Sequence, residues 1–148
     1  MNDNSPVLTI KNASIAYHTG KNKRWHMVFQ ELNLELMKGD IACLLGASGC
    51  GKSTILRAIC GFENLQAGEI YLQNQLASSS QVHVPPNQRK VGMVFQDFAL
   101  FPHLNVFENV AFGLRRRKVT GSDLVRQVGR MLELVELPGY ERRRPNQL

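Results

Sequence analysis

Gly46-Ala47-Ser48-Gly49-Cys50-Gly51-Lys52-Ser53-Thr54 meets every fixed position of the pattern G-x-x-x-x-G-K-[ST], a loop built to cradle phosphate. Such a loop must point several backbone N–H groups at one set of anionic oxygens. The chain can close into that nest only where residues tolerate positive φ and carry no Cβ to block the ligand. Gly46, Gly49 and Gly51 meet that need. A helix opening at the loop adds its free N–H groups and dipole to the same anion. Lys52 would place a cation on the β- and γ-phosphates, Ser53 would offer a hydroxyl to Mg²⁺, and Thr54 would reach the α- or β-phosphate. Ser48 and Cys50 complete the lining, with Cys50 read most simply as a small inert residue.

The flanks suit the loop. Ile41-Ala42-Cys43-Leu44-Leu45 is a continuous apolar run of strand length, which predicts a strand buried on both faces. Lys52 to Cys60 predicts a helix, with Ile55, Leu56 and Ile59 as its apolar side and Gly61 as a left-handed stop. Upstream, residues 7–10 and 15–17 are short β-prone runs, residues 18–23 suggest a loop, and Leu32, Leu34 and Leu36 alternate with Glu31, Asn33 and Glu35 in a strand with one wet face. Lys38-Gly39-Asp40 predicts a turn. Downstream, Gly68 to Leu72 predicts a strand, Gln73-Asn74-Gln75 a turn, and Ser78-Ser79-Ser80 a surface loop. Pro85-Pro86 breaks the chain before a second apolar strand at Val91 to Phe95. Asn105 with Glu108 forms a capping-box start for a helix carrying Val106, Phe107, Val110, Ala111 and Leu114. Ser122 is expected to cap another, striped by Leu124, Val125, Val128, Met131, Leu132 and Val135 and ended by Pro138-Gly139.

Composition narrows the classes. The 43% apolar content supports a packed core. No run of eighteen apolar residues spans a membrane, and residues 1–6 lack a secretory signal. Cys43, Cys50 and Cys60 form no C-x-x-C pair, and His18, His26, His83 and His103 have no ligand spacing, which argues against disulfides and a zinc site. The net charge of +6 raises the question of nucleic acid. The basic runs Arg115 to Lys118 and Arg142 to Arg144 carry no interleaved aromatics to stack bases, so solvated faces are the simpler reading and no nucleic-acid partner is expected.

Val94-Phe95-Gln96-Asp97-Phe98-Ala99-Leu100-Phe101-Pro102-His103-Leu104-Asn105-Val106 closely resembles the Q-loop region of ABC-transporter ATPases. Val84 to Arg89 and Ala58 to Glu63 resemble neighbouring segments of that family, in the same order along the chain. The resemblance implies an α/β fold: a P-loop NTPase (RecA-like) core with an antiparallel β subdomain over residues 1–102, then the start of a helical subdomain over 103–148, truncated. It implies ATP and Mg²⁺ as ligands, Lys52 and Gln96 as catalytic-site residues, and Ser53 and Gln96 as Mg²⁺ contacts. Tyr17 resembles the aromatic that stacks on adenine, with Trp25 and plain core packing as competitors. Pro102 to Phe107 resembles the surface that meets membrane subunits.

The partners implied are transmembrane permease subunits, a second ATPase subunit and, indirectly, a periplasmic or extracellular solute-binding protein. The implied location is peripheral, on the cytoplasmic face of the inner membrane. Arg144 to Leu148 resembles the approach to the L-S-G-G-Q signature motif. No apolar run ending in Asp-Glu follows the P-loop, so the Walker B aspartate, catalytic glutamate and switch histidine are expected to be missing. Weak nucleotide binding, negligible turnover and poor solubility are the corresponding expectations. The loop residues together with Phe98 to His103 look most like ferric-ion importers, with polyamine and sugar importers as alternatives. A small-molecule kinase is a more distant possibility.

Overall fold

The computed structural model describes residues 5–19, 24–96 and 99–148, with the side chains of residues 18, 19 and 24 left aside. Residues 1–4, most of the loop expected at 18–23, and residues 97–98 of the Q-loop-like stretch lie outside the described residues. The chain divides into two compact units, 1–93 and 94–148.

The first unit is an antiparallel sheet with one helix. Its strands are β1 (Leu8–Thr19), β2 (Arg24–Leu36), β3 (Ala67–Leu72) and β4 (Gln75–Ser78), in the order β2-β1-β3-β4. The two short runs expected at 7–10 and 15–17 are thus one strand, because a bulge, not a loop, separates them. Register shifts between Ile10 and Ala13 mark it, and Asn12 takes a positive φ of 47°. The Asn33 side chain accepts from Asn12 N–H and donates to Asn12 Oδ1, both at 2.9 Å. The bulged backbone presses on β3, where a Cβ on Gly68 (φ 79°) would collide with the Asn12 carbonyl. Glycine is therefore required there.

Leu8, Ile10, Ala13 and Ile15 of β1 pack with Ile70 of β3, Leu65 and Ala58. Leu32, Leu34 and Leu36 close the cluster from β2, as their alternation predicts. Helix α1 (Lys52–Cys60) lays Ile55 and Ala58 inward and ends at Gly61, whose φ of 86° is the expected left-handed stop.

Arg89 supplies the other tie in this unit. It is 5% exposed. Its guanidinium donates to the carbonyls of Val84 (2.6 Å), Ala58 (2.8 Å), Ile59 (3.1 Å) and Ala77 (3.1 Å), and to Ser78 Oγ (2.7 Å). One planar fork thus joins the end of α1 to β4. Burial pulls its pKa below the ordinary arginine value. The serine tract is not all surface loop: Ser78 is fully buried in β4 because it serves this cation.

Two expected strands are not formed. Residues 41–45 and 91–95 have no strand pairing. Ile41, Leu45 and Val94 are 97%, 88% and 89% exposed. A strand exists only where a neighbour supplies its hydrogen bonds. The four antiparallel strands pair only with one another, and no other strand among the described residues runs beside either stretch.

The second unit is a helix pair. Helix α2 (Val106–Arg116) begins with the predicted capping box: Glu108 N–H donates to Asn105 Oδ1 at 2.8 Å, and Asn105 N–H to Glu108 Oε2 at 3.2 Å. Its first N–H groups reach the carbonyls of Arg143 (2.8 Å) and Glu141 (3.0 Å), as a buried helix start requires. Helix α3 (Gly121–Leu134) starts after Thr120, so Ser122 lies inside the first turn and is not the cap. It stops before Pro138-Gly139 because Glu136 takes the left-handed conformation (φ 60°) and Leu137 N–H closes on Leu132 O at 2.8 Å. Only Leu124, Val128 and Leu132 of its stripe are buried. Val125, Met131 and Val135 are 60%, 45% and 58% exposed, since one facing helix covers only the i, i+4, i+8 line.

Candidate functional site

The loop 46–54 closes on Lys52. The Lys52 ammonium donates to the carbonyls of Gly46 at 2.8 Å and Ala47 at 2.7 Å, and lies 3.6 Å from Cys50 Sγ. Gly46, Gly49 and Gly51 all have positive φ, at 155°, 81° and 94°. Each supports the curl in its own way. A Cβ on Gly46 would come within 2.7 Å of Cys50 Sγ, and one on Gly51 within 2.7 Å of Val28 Cγ1 beneath the loop, whereas Gly49 meets nothing and needs glycine for conformation alone.

Cys50 N–H donates to Ala47 O at 3.3 Å, and the α1 ladder begins with Ile55 N–H on Gly51 O at 2.9 Å. The N–H groups of Lys52, Ser53 and Thr54 stand in the first turn, ahead of that ladder, where an anion is favoured. Ser48 and Ser53 are exposed and Thr54 is half-buried. These groups form a cationic, donor-rich rim suited to a polyphosphate.

Tyr17, near the end of β1, belongs to the same neighbourhood and is 39% exposed. Its phenol pKa is raised, first by partial burial and next by hydrogen bonding and charge from Glu63; Thr54 and Arg57 act in the opposite direction. The Tyr17 phenol is thus within electrostatic reach of Glu63, Thr54 and Arg57. Trp25, the competing aromatic, is 60% exposed on β2. Gln96 is exposed and belongs to the other unit.

Three residues around α1 carry no signal of their own in the sequence: Arg57, Glu63 and Arg89. Arg57 and Glu63 stand six apart and meet only because the chain reverses at Gly61. Among the described residues, no group of three or more His, Cys, Asp or Glu side chains could hold a metal ion, and no helix is long and apolar enough to cross a membrane.

A phosphate-type loop ahead of a helix, set beside an antiparallel sheet, defines a nucleotide-binding class of protein. Comparison with known proteins sharpens this. The sequence profile of the ABC transporter family matches residues 29–148, and the chain belongs to that family. It is 45% identical over 148 residues to the spermidine/putrescine import ATP-binding protein PotA of Acidothermus cellulolyticus, covering 99% of this chain and 37% of that protein. It is 50% identical over 119 residues to the protein of the same name from Rubrobacter xylanophilus, covering 80% of this chain and 30% of the relative. The chain thus spans about a third of the length of these relatives.

Among solved structures, it resembles a dimeric bacterial ABC transporter cassette (TM-score 0.81, 27% identity, 95% of this chain and 62% of that one). It also resembles a dimeric cassette in a post-hydrolysis state bound to ADP and Pi (TM-score 0.80, 27% identity, with the same coverage). The fold is the α/β ABC ATPase fold with its antiparallel sheet.

Proposed function

We propose that this chain is the ATP-binding part of an ABC importer, and that ATP sits on residues 46–54. What supports the reading most directly is the glycine-built loop curled around Lys52 at the start of α1, in a chain of this family. The backbone of Gly46 to Gly51 and the first turn of α1 would take the phosphates, Lys52 the β- and γ-groups, and Tyr17 the adenine face. Mg²⁺ would be held by Ser53 and Gln96 with the nucleotide's own oxygens, and it neutralises charge on the phosphates when bound. An exposed hydroxyl in the first turn of α1 and an exposed amide suit such an oxygen-seeking ion.

Residues 1–102 would form the nucleotide-binding portion and 103–148 the start of a helical one. Permease subunits, a second ATPase subunit and, through them, a solute-binding protein would be its partners at the cytoplasmic face of the membrane. We expect weak ATP binding and negligible turnover by the 148 residues alone, since no apolar run ending in Asp-Glu supplies a water-orienting carboxylate. Robust hydrolysis that disappears in Lys52→Ala would refute this.

The names of the relatives favour a polyamine as cargo over ferric ion. Disruption of the gene is expected to lower cellular uptake of radiolabelled spermidine and leave ferric-iron uptake unchanged. The opposite pattern would restore the ferric reading.

A further inference from the structure

A recess of about 300 Å³ opens beside the last turn of α1. Its walls are largely apolar and come from Leu8, Ile59, Leu72 and Val91. Gln73, Arg89 and Lys90 supply the polar part. A smaller cavity of about 110 Å³ shares Leu72, Gln73, Arg89 and Lys90 with it. The larger space is about twice the ~150 Å³ with which an engineered protein cavity accepts benzene. It lies wholly within the first unit, and none of residues 46–54 lines it.

Two cations border this recess, and neither has a carboxylate partner among the described residues. Arg89 is 5% exposed and commits its N–H groups to four carbonyls and the Ser78 hydroxyl, all of them neutral. The ion pairs among the described residues are Arg57 with Glu63 and Arg126 with Asp123. A buried charge is ordinarily paired. At Arg89 the hydrogen bonding is complete and the charge balance is not. Lys90 is exposed, and its ammonium makes no hydrogen bond or ion pair with the described residues. Successive residues of an extended chain face opposite sides. The left-handed backbone of Lys90 (φ 54°) departs from that pattern where the two neighbours border one recess.

We propose that this recess binds a small amphiphilic carboxylate, an anion with an apolar body of roughly six to eight carbons. The tail would lie against Leu8, Ile59, Leu72 and Val91. The carboxylate would take its hydrogen bonds from Lys90 and the Gln73 amide, in the field of Arg89. The two parts of the lining select together. An apolar wall disfavours an inorganic phosphate, which would lose its hydration there, and two cations without an acid disfavour an amine. Arg89 has no N–H left to give, so it contributes charge alone, whereas Lys90 contributes up to three donors. The site is separate from the phosphate loop and does not rest on the ATP reading.

The probe is sodium octanoate, titrated calorimetrically into the full chain. Octanol and octylammonium chloride are the controls, with the same tail and no negative charge. Octanoate is expected to saturate a single site and to bind at least roughly tenfold more tightly than either control. Val91→Trp, which fills the recess, should abolish binding. Lys90→Ala should weaken octanoate roughly three- to fivefold, the size of one exposed charge contact, and Lys90→Glu should weaken it further. Mg-ATP binding should be unchanged in both Lys90 variants, and Lys52→Ala should bind octanoate as the wild type does. No octanoate binding, or equal binding of the three tails, would overturn the proposal. So would octanoate binding that survives Val91→Trp or Lys90→Glu, or that disappears in Lys52→Ala. If Val91→Trp fails to fold, the Lys90 variants, which change an exposed side chain, decide the matter.

Discussion

Replacing Lys52 with alanine is expected to weaken Mg-ATP binding by about a hundredfold, the effect of losing charge-assisted hydrogen bonds worth ~3 kcal/mol. The ammonium is the cation that curls back over the loop onto the Gly46 and Ala47 carbonyls. Two of its three hydrogens are engaged there and the remaining approach is to Cys50 Sγ, so it is already aimed across the cradle. Arginine should not rescue it, because a planar fork does not reproduce a compact point charge inside so tight a curl. The variant also loses two bonds that brace the loop, so a melting curve must accompany the titration. A preserved melt with lost binding places the effect on the ligand. Undiminished binding would mean that phosphate is held elsewhere.

Arg89→Ala is the second large effect, and it falls on stability. The substitution removes an N–H donor from four carbonyls and the Ser78 hydroxyl at once; the Ala58 and Ala77 carbonyls keep the N–H groups of Gly61 and Val84, so the loss falls mainly on Val84 O, Ile59 O and Ser78 Oγ. Leaving a buried acceptor unsatisfied costs about 1–3 kcal/mol, and water entering the gap would recover part of the sum. A net loss of at least ~3 kcal/mol is expected. That corresponds to a fall in Tm of about 12 °C or more for a unit the size of residues 1–93, out of a typical total of only ~5–15 kcal/mol. Arg89→Lys should recover less than half, since three donors on one nitrogen cannot span the acceptors that the fork reaches. Thermal unfolding followed by circular dichroism measures both. A curve that overlays the wild type would show that the buried cation is dispensable.

The parts of the fold that were readable from the sequence are those with local causes. The glycine spacing of the loop, the stop at Gly61 and the capping box of Asn105 and Glu108 each arise within a few residues, and all are formed. The alternation of Leu32, Leu34 and Leu36 likewise declares which side of β2 is inward. What could not be read depends on distant partners. The apolar runs 41–45 and 91–95 look like strands, but pairing is not a property of the run, and no described neighbour supplies it. The bulge at Asn12 is invisible without Gly68 across from it. Ser122 and Thr120 are both plausible caps, and the choice turns on where α3 starts to pack.

At the candidate site the loop residues were readable for the same local reason. The pairing of Arg57 with Glu63 was not, because it needs the chain reversal at Gly61. Arg89 was hidden by its type: a lone arginine after two prolines reads as surface until its acceptors are seen.

The guanidinium of Arg89 grips the tail of α1 while the nucleotide-type loop crowns its head, and the rod between them is only nine residues long, about 13.5 Å at 1.5 Å per residue. So short a strut transmits displacement without much bending. A nudge delivered near residues 84–89 would therefore arrive at the crown largely undiminished, and slack introduced at the tail should register at the head as faster amide exchange.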